Sequence, residues 1–356
     1  MALHRHSSLL ARIIRFTSAR RHPLGIVAAS GAVVALVAIL LGDVAGHARI
    51  LHTLSNVSPE WFGLCLAGQA VAYLGYVFAL RETAHVDDGP QLSFRHAANV
   101  VAAGFGAFFS ATRAGGFEVD YWALRHAGAS RRDAFTRVIG LGTLEYAILA
   151  PAAMFSAIAV LTDGRVHAQP SMTWPWLAVV PCALIATWAT QPTRARRWIR
   201  IGPTDGRARR GAANAIAGLS VLRRLIQQPR AHGMAFVGAS MYWFGEVLCL
   251  WAALMAFNSR VGVPVLIVAV ATGYVLTRRS LPAGGAGVSE VALTFALYWL
   301  GVPFASALLG VLAYRFFNFW LALVPAFAAR GTMRTIHAEF AETEAELRAE
   351  RLGLAR

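Results

Sequence analysis

The sequence predicts an all-α, polytopic integral membrane protein with about six spanning helices and two re-entrant helical hairpins in an inverted repeat. Three observations predict it. Of 356 residues, 57% are hydrophobic and only 14% charged, with a mean hydropathy of +0.52; an ordinary soluble domain carries about 25% charge. Six apolar blocks, 24–42, 59–80, 138–161, 174–190, 234–257 and 303–329, reach or approach the ~20 residues that a spanning helix needs. Two further apolar regions, 95–128 and 263–301, are each broken by a Gly pair beside arginine, leaving arms too short to span.

Taken in order, the chain opens on a basic segment, 1–23, with five arginines that precede the first apolar block. That block has no clear small-x-small cleavage site followed by a soluble domain, so it reads as an uncleaved first span. The net charge is +15, and every cation is arginine, since the chain has no lysine. The arginines concentrate in 1–23, in 191–233 (ten of them) and after 329 (five); the connections 43–58, 162–173 and 258–262 hold one each. The positive-inside rule then places both termini and 191–233 on the cytoplasmic side of the plasma membrane. Six spans plus two hairpins that return to their own side satisfy that parity. Trp61, Trp174 and Trp176 fall at the outer ends as interface anchors. Within the loop, 206–228 reads as a helix lying along the inner surface or as a solvated loop helix. The clusters alternate with apolar blocks and carry no zinc spacing or RNA-binding signature, so nucleic acid is not an expected partner. Cys65, Cys182 and Cys249 all sit in apolar blocks and read as small buried hydrophobes.

The two interrupted regions have similar surroundings. In the first half a span (59–80) leads to an arm, Ala114-Gly115-Gly116, a return arm, Gly128-Ala129-Ser130 and a span ending near 161. In the second, 234–257 leads to an arm, Ala283-Gly284-Gly285, a return arm, Gly301-Val302-Pro303 and a span ending near 329. Gly128, Ser130 and Ala134 align with Gly301, Pro303 and Ala307, and the second return arm is four residues longer. With opposite openings, the halves 59–161 and 234–329 form an inverted repeat. Broken helices in inverted repeats are typical of secondary transporters, whose substrate sites lie between the halves.

Ionisable groups inside a membrane are costly and are therefore candidates for function. Arg113, Arg278 and Arg279 occupy the hairpin tips, with Gly115, Gly116, Gly284 and Gly285 beside them. A half-helix N-terminus offers free N–H groups, and arginine adds a planar fork suited to phosphate. These residues, with Glu118, Glu290 and Arg315, are the expected contacts for an anionic headgroup. Asp120, Glu145, Glu246, Gln69 and Asn318 are candidates for coupling or for structure. For Glu145 and Arg315 the favoured reading is structural, in Arg–Glu pairs that pin helices together. Gln69 takes the place in 59–80 that Glu246 takes in the other half. No HExxH, GxSxG, P-loop or paired-carboxylate arrangement stands out, so neither an enzyme nor a metal or cofactor is expected.

At Leu281-Pro-Ala-Gly-Gly-Ala-Gly-Val-Ser-Glu290, Gly301-Val-Pro303 and Tyr314-Arg315, the chain resembles the flippase-like membrane region of the lysylphosphatidylglycerol synthases. The segment from Arg113 through Ala134 looks similar to the same family, and the resemblance covers roughly residues 20–330. It implies movement of lipids between leaflets. In that family a separate cytosolic domain performs the aminoacyl transfer; the stretch 331–356 reads only as a charged cytoplasmic tail helix, so that activity is not expected. Relatives carry a Glu-Arg pair where this chain has Leu141-Gly142, with Glu145 one turn later. The expected function is translocation of a phospholipid or lipid-linked glycan. The alternatives are a non-transporting membrane partner that docks a lipid-modifying enzyme and, weakest, a membrane enzyme acting on headgroups.

Overall fold

The computed structural model describes residues 23–107, 116–164, 168–189, 207–277 and 285–329. Among these, every regular element is helical. In chain order they are α1 (Pro23–Ala45), α2 (His47–Ser55), α3 (Trp61–His85), α4 (Phe94–Ala107), α5 (Gly116–His126), α6 (Arg131–Thr162) and α7 (Pro170–Ala189). There follow α8 (Arg207–Gln227), α9 (Pro229–Ala256), α10 (Val263–Thr277), α11 (Val288–Trp299), α12 (Phe304–Arg315), a π-helical turn (Phe316–Trp320) and α13 (Leu323–Ala328).

Among the described residues, five helical stretches are long and apolar enough to cross a membrane: Val27–Ala45, Trp61–His85, Arg131–Thr162, Pro229–Ala256 and Phe304–Ala326. The expected block 174–190 lies in α7, whose apolar stretch Pro170–Ile185 is shorter and contains Pro175 and Pro181. The protein is thus a polytopic, all-helical membrane protein. α6 starts seven residues before its apolar block because Ser130 stops the chain there. Ser130 has extended φ/ψ and its Oγ accepts the Asp133 N–H at 3.2 Å.

α3 and α9 form the spine. They run antiparallel and interlock through glycine. A Cβ on Gly75 would meet Tyr242 N at 2.5 Å and Gly238 O at 2.6 Å; one on Gly245 would meet Gly68 O at 2.3 Å. Backbone lies against backbone at both ends of the contact, with Cys65, Ala72, Ala79, Ala235, Ala239 and Cys249 buried along it. In lipid, small residues that permit this approach replace the hydrophobic driving force between helices. Cys182, by contrast, is exposed on α7, so only two of the three cysteines are buried.

The four short helices pack in pairs, α4 on α5 and α10 on α11. At about 1.5 Å per residue they are some 16–23 Å long, against a hydrocarbon core of about 30 Å. The first pair connects at both open ends to the end of the molecule where α3 finishes and α6 begins. The second connects at the opposite end, where α9 finishes and α12 begins. Protein covers them: Ala97, Val100, Val101 and Ala103 of α4, and Leu266, Val268, Ala269 and Ala271 of α10, are at most 2% exposed. Each outgoing arm packs on the last helix of the other half, α4 on α13 and α10 on α6.

The exits from the two return arms have the same construction. Gly128 and Gly301 have φ of +96° and +93°, a conformation that favours glycine. The N–H of Gly128 bonds Arg125 O and that of Gly301 bonds Tyr298 O; Ala129 N–H reaches Leu124 O and Val302 N–H reaches Leu297 O, all at 3.0 Å. The four extra residues of the second return arm become a turn over Gly285–Gly287 and one added helical residue.

One expectation is extended and another overturned. α8 also packs on protein, against α6, with Val221 and Leu225 buried. Gly140 makes room for Val221, since a Cβ there would meet its Cγ1 at 2.6 Å. Trp176 is not an interface anchor. It is buried, and its Nε1–H donates to Thr272 Oγ1 of α10 at 3.0 Å. Trp174 is exposed, and Trp61 packs edge-on against Trp251.

Candidate functional site

Among the described residues, the buried acids Asp120, Glu145, Glu246 and Glu290 belong to two clusters near the α3/α9 spine. The larger cluster joins α9, α11, α12 and the π turn. Glu290 is the third residue of α11 and completely buried. Its Oε2 accepts the Gly287 N–H at 2.6 Å, satisfying a donor at the helix start. Gly287 itself has φ +85°, and a Cβ there would meet Val33 Cγ1 of α1 at 2.7 Å. The other oxygen, Oε1, accepts the Arg315 Nε–H at 3.0 Å.

Arg315 ends α12. Its Nη1 donates to Asn318 Oδ1 at 3.3 Å, and its guanidinium stacks 4.5 Å from the centre of the Phe319 ring. Asn318 lies in the π turn, closed by Leu321 N–H to Phe316 O at 2.8 Å. Such turns widen a helix locally and are frequent at functional sites. Asn318 Nδ2 then donates to both oxygens of Glu246 on α9, at 2.8 and 2.7 Å, and the Tyr314 hydroxyl donates to Glu246 as well. Glu290, Arg315, Asn318, Glu246 and Tyr314 form one connected network across three helices. Among the described residues it holds two carboxylates and one guanidinium. Glu290 takes the guanidinium, while Glu246 is held by two neutral donors. Gln69 of α3 lies beside Glu246 and Cys249.

The second cluster links α3, α5, α6, α9 and α10. The Tyr76 hydroxyl of α3 donates to Asp120 of α5 at 2.8 Å, and Asp120 is buried. Glu118, the third residue of α5, is half-buried and takes the place in its helix that Glu290 takes in α11. Glu145, buried on α6, accepts from the Tyr274 hydroxyl of α10 at 2.5 Å, while its backbone carbonyl accepts the Trp243 Nε1–H of α9 at 2.9 Å. A chain of ring contacts, Tyr76–Tyr242–Trp243–Tyr274, runs between Asp120 and Glu145 with centroids 4.8–5.7 Å apart.

The structure therefore brings Glu246, Glu290, Arg315 and Asn318 together, with Gln69 next to them, and places Asp120 and Glu145 in a separate cluster. Arg315 forms an Arg–Glu pair with Glu290 of the neighbouring α11, while Glu145 accepts from the Tyr274 hydroxyl. Gly116 is buried at the start of α5, and Gly285 has φ +69° ahead of α11. Arg113, Gly115, Arg278, Arg279 and Gly284 lie outside the described residues. Tyr76, Tyr274 and Tyr314 each donate to a buried acid from another helix. The sequence marked Tyr314 only through the family resemblance and did not single out Tyr76 or Tyr274, whose one visible signal was a hydroxyl in an apolar block.

The sequence pattern of one known family, described as the transmembrane region of lysylphosphatidylglycerol synthase, matches residues 26–326. That range contains both clusters and all helices from α1 into α13. No curated protein matches the chain.

Proposed function

The chain belongs to the lysylphosphatidylglycerol synthase transmembrane-region family, and from that premise we propose that it moves an anionic lipid or lipid-linked glycan between the leaflets of the plasma membrane. The observation that carries this reading is the Glu290–Arg315–Asn318–Glu246 network. A membrane protein keeps charge at depth only against a high cost, and this network sits where short α11 begins, directly after the Gly-rich break. The start of a half-helix presents N–H groups and positive potential to an anion. Arg278 and Arg279 belong to that same break by sequence.

The repeated architecture supports the same reading. Two pairs of short helices open to opposite ends, each leaning on the last helix of the other half, and their exit turns share φ values and hydrogen bonds. This is what an inverted repeat with two re-entrant hairpins would look like, and transporters built that way alternate by rocking one half against the other. The arginine distribution puts both termini and 191–233 in the cytoplasm under the positive-inside rule.

The test is reconstitution. Vesicles containing the purified protein and fluorescent phosphatidylglycerol, aminoacyl-phosphatidylglycerol or a lipid-linked sugar are assayed for loss of sidedness. Faster crossing than in empty vesicles, reduced by Arg315→Ala and by Arg278→Ala, is the expected result. Equal rates with and without protein for every lipid, together with no cellular phenotype for either variant, would sink the proposal.

A further inference from the structure

A groove with a volume of about 410 Å³ opens between α6, α9 and α10. Its walls include Ile148 and Ala152 of α6, Ser240, Trp243 and Trp251 of α9, and Leu266 of α10. Ser240 is the one hydroxyl-bearing residue among them. Trp243 has a polar atom, but its Nε1–H is engaged with the Glu145 carbonyl, so the ring presents only carbon to the groove. Such a surface offers almost nothing to a polar occupant.

Dimensions narrow the occupant further. From Ser240 to Trp251, α9 rises about 16 Å. That is close to one leaflet of a hydrocarbon core about 30 Å thick. That volume is room for the centres of an occupant's atoms; spread over this length it is about 5 Å across, or about 8 Å from wall to wall, narrower than the ~10–12 Å of an α-helix with its side chains. Carbon atoms pack against such walls at about 3.5–4.0 Å, so one extended hydrocarbon chain fits and a peptide helix does not. An extended peptide would bring N–H and C=O groups that the walls cannot satisfy.

The two ends differ in a way that matches a lipid tail. Trp251 packs edge-on against Trp61 at 5.3 Å, beside the junction where Ser58 N–H bonds Ala256 O. This is the end where α3 begins and α9 finishes, and tryptophans gather at the headgroup level. The other end stops near the molecule's middle, at Trp243 and the Glu145–Tyr274 pair.

We propose that this groove is a binding site for one acyl chain of a bilayer phospholipid, entering from the leaflet on the Trp61 side. It goes beyond the transport reading and stands without it.

Photocrosslinking tests it. The full-length protein is reconstituted in phosphatidylglycerol vesicles containing phosphatidylglycerol with a diazirine midway along one acyl chain. After illumination, adducts are mapped by peptide mass spectrometry. Leu36 and Ile39 on α1, which are 57% and 62% exposed, report ordinary contact with bulk lipid. The site predicts adducts on Ala152, Ser240 and Trp243 several-fold above that reference, and their loss in Ala152→Phe, which fills the groove. Val263→Phe, at the exposed mouth, serves if the first variant fails to fold. Adducts no denser in the groove than on α1, adducts unchanged by either variant, or crosslinks from the groove into another protein would each overturn the proposal.

Discussion

Arg315 of α12 and Glu290 of α11 form a buried ion pair, with Nε 3.0 Å from Oε1 and the carboxylate side chain wholly shielded. Removing Arg315 leaves the Glu290 carboxylate buried without its cation, and breaking such a buried pair costs about 3–5 kcal/mol. Arg315→Met and Glu290→Leu are each expected to lower the unfolding midpoint in detergent strongly. The double variant is expected to recover much of that loss. Additive losses would show that the two side chains act independently.

Glu246 should separate function from fold. Glu246→Gln keeps the volume and an acceptor oxygen for the Tyr314 and Asn318 donors, so near-normal thermal stability is expected alongside reduced lipid translocation. Asn318→Leu removes the double donor to Glu246 and the Oδ1 acceptor of the Arg315 Nη1–H. It should lower stability by about 1–3 kcal/mol. Equal stability losses in the two variants would assign Glu246 a purely structural role.

The α3/α9 interlock predicts sharp position dependence among glycines of one helix. Gly75→Ala drives a methyl into the backbone of α9, which cannot yield cheaply, and should cost about 1–3 kcal/mol. Gly63→Ala on the same helix meets nothing within 4 Å. There the expected change is neutral or a gain of about 0.5–1 kcal/mol from restricting the unfolded chain. Thermal unfolding of the two variants side by side decides it.

At Gly287, two effects can be separated. An alanine there meets Val33 Cγ1 and also adopts φ +85°. Val33→Ala should relieve the steric part of Gly287→Ala and leave the backbone strain of about 1–3 kcal/mol. Complete rescue in the double variant would show that the backbone conformation costs nothing.

The ion pair between Arg224 of α8 and Asp87 is about half exposed on both sides. Such pairs are worth about 0–1 kcal/mol. Arg224→Ala should therefore barely move the unfolding midpoint, whereas Leu225→Ala, which empties a completely buried position next to it, should lower it by about 2–5 kcal/mol.

Much of the architecture was legible in the order of residues. Runs of about 20 apolar residues fix the spans because an unsatisfied backbone in lipid leaves the helix as the only economical choice. The Gly-x-Ser and Gly-x-Pro steps at 128–130 and 301–303 marked two helix exits, because a positive φ and a following extended residue leave a compositional trace. The cost of intramembrane charge singled out Glu290, Arg315, Glu246 and Asn318 as candidates.

Which of these groups meet could not be read from order alone. Periodicity says which face of a helix a residue occupies, but not which helix lies opposite or at what height. The interlock of Gly68 and Gly75 with Gly245 and Gly238 sets that height for α3 and α9, and Gln69 of α3 lies beside Glu246 of α9. The packing of α11 beside α12 gives Arg315 to Glu290, and α10 lying on α6 gives Tyr274 to Glu145. The one-dimensional pattern determined that charges are buried and helices broken; side-chain contacts between distant helices, decided by how closely their backbones can approach, determined how those charges are satisfied.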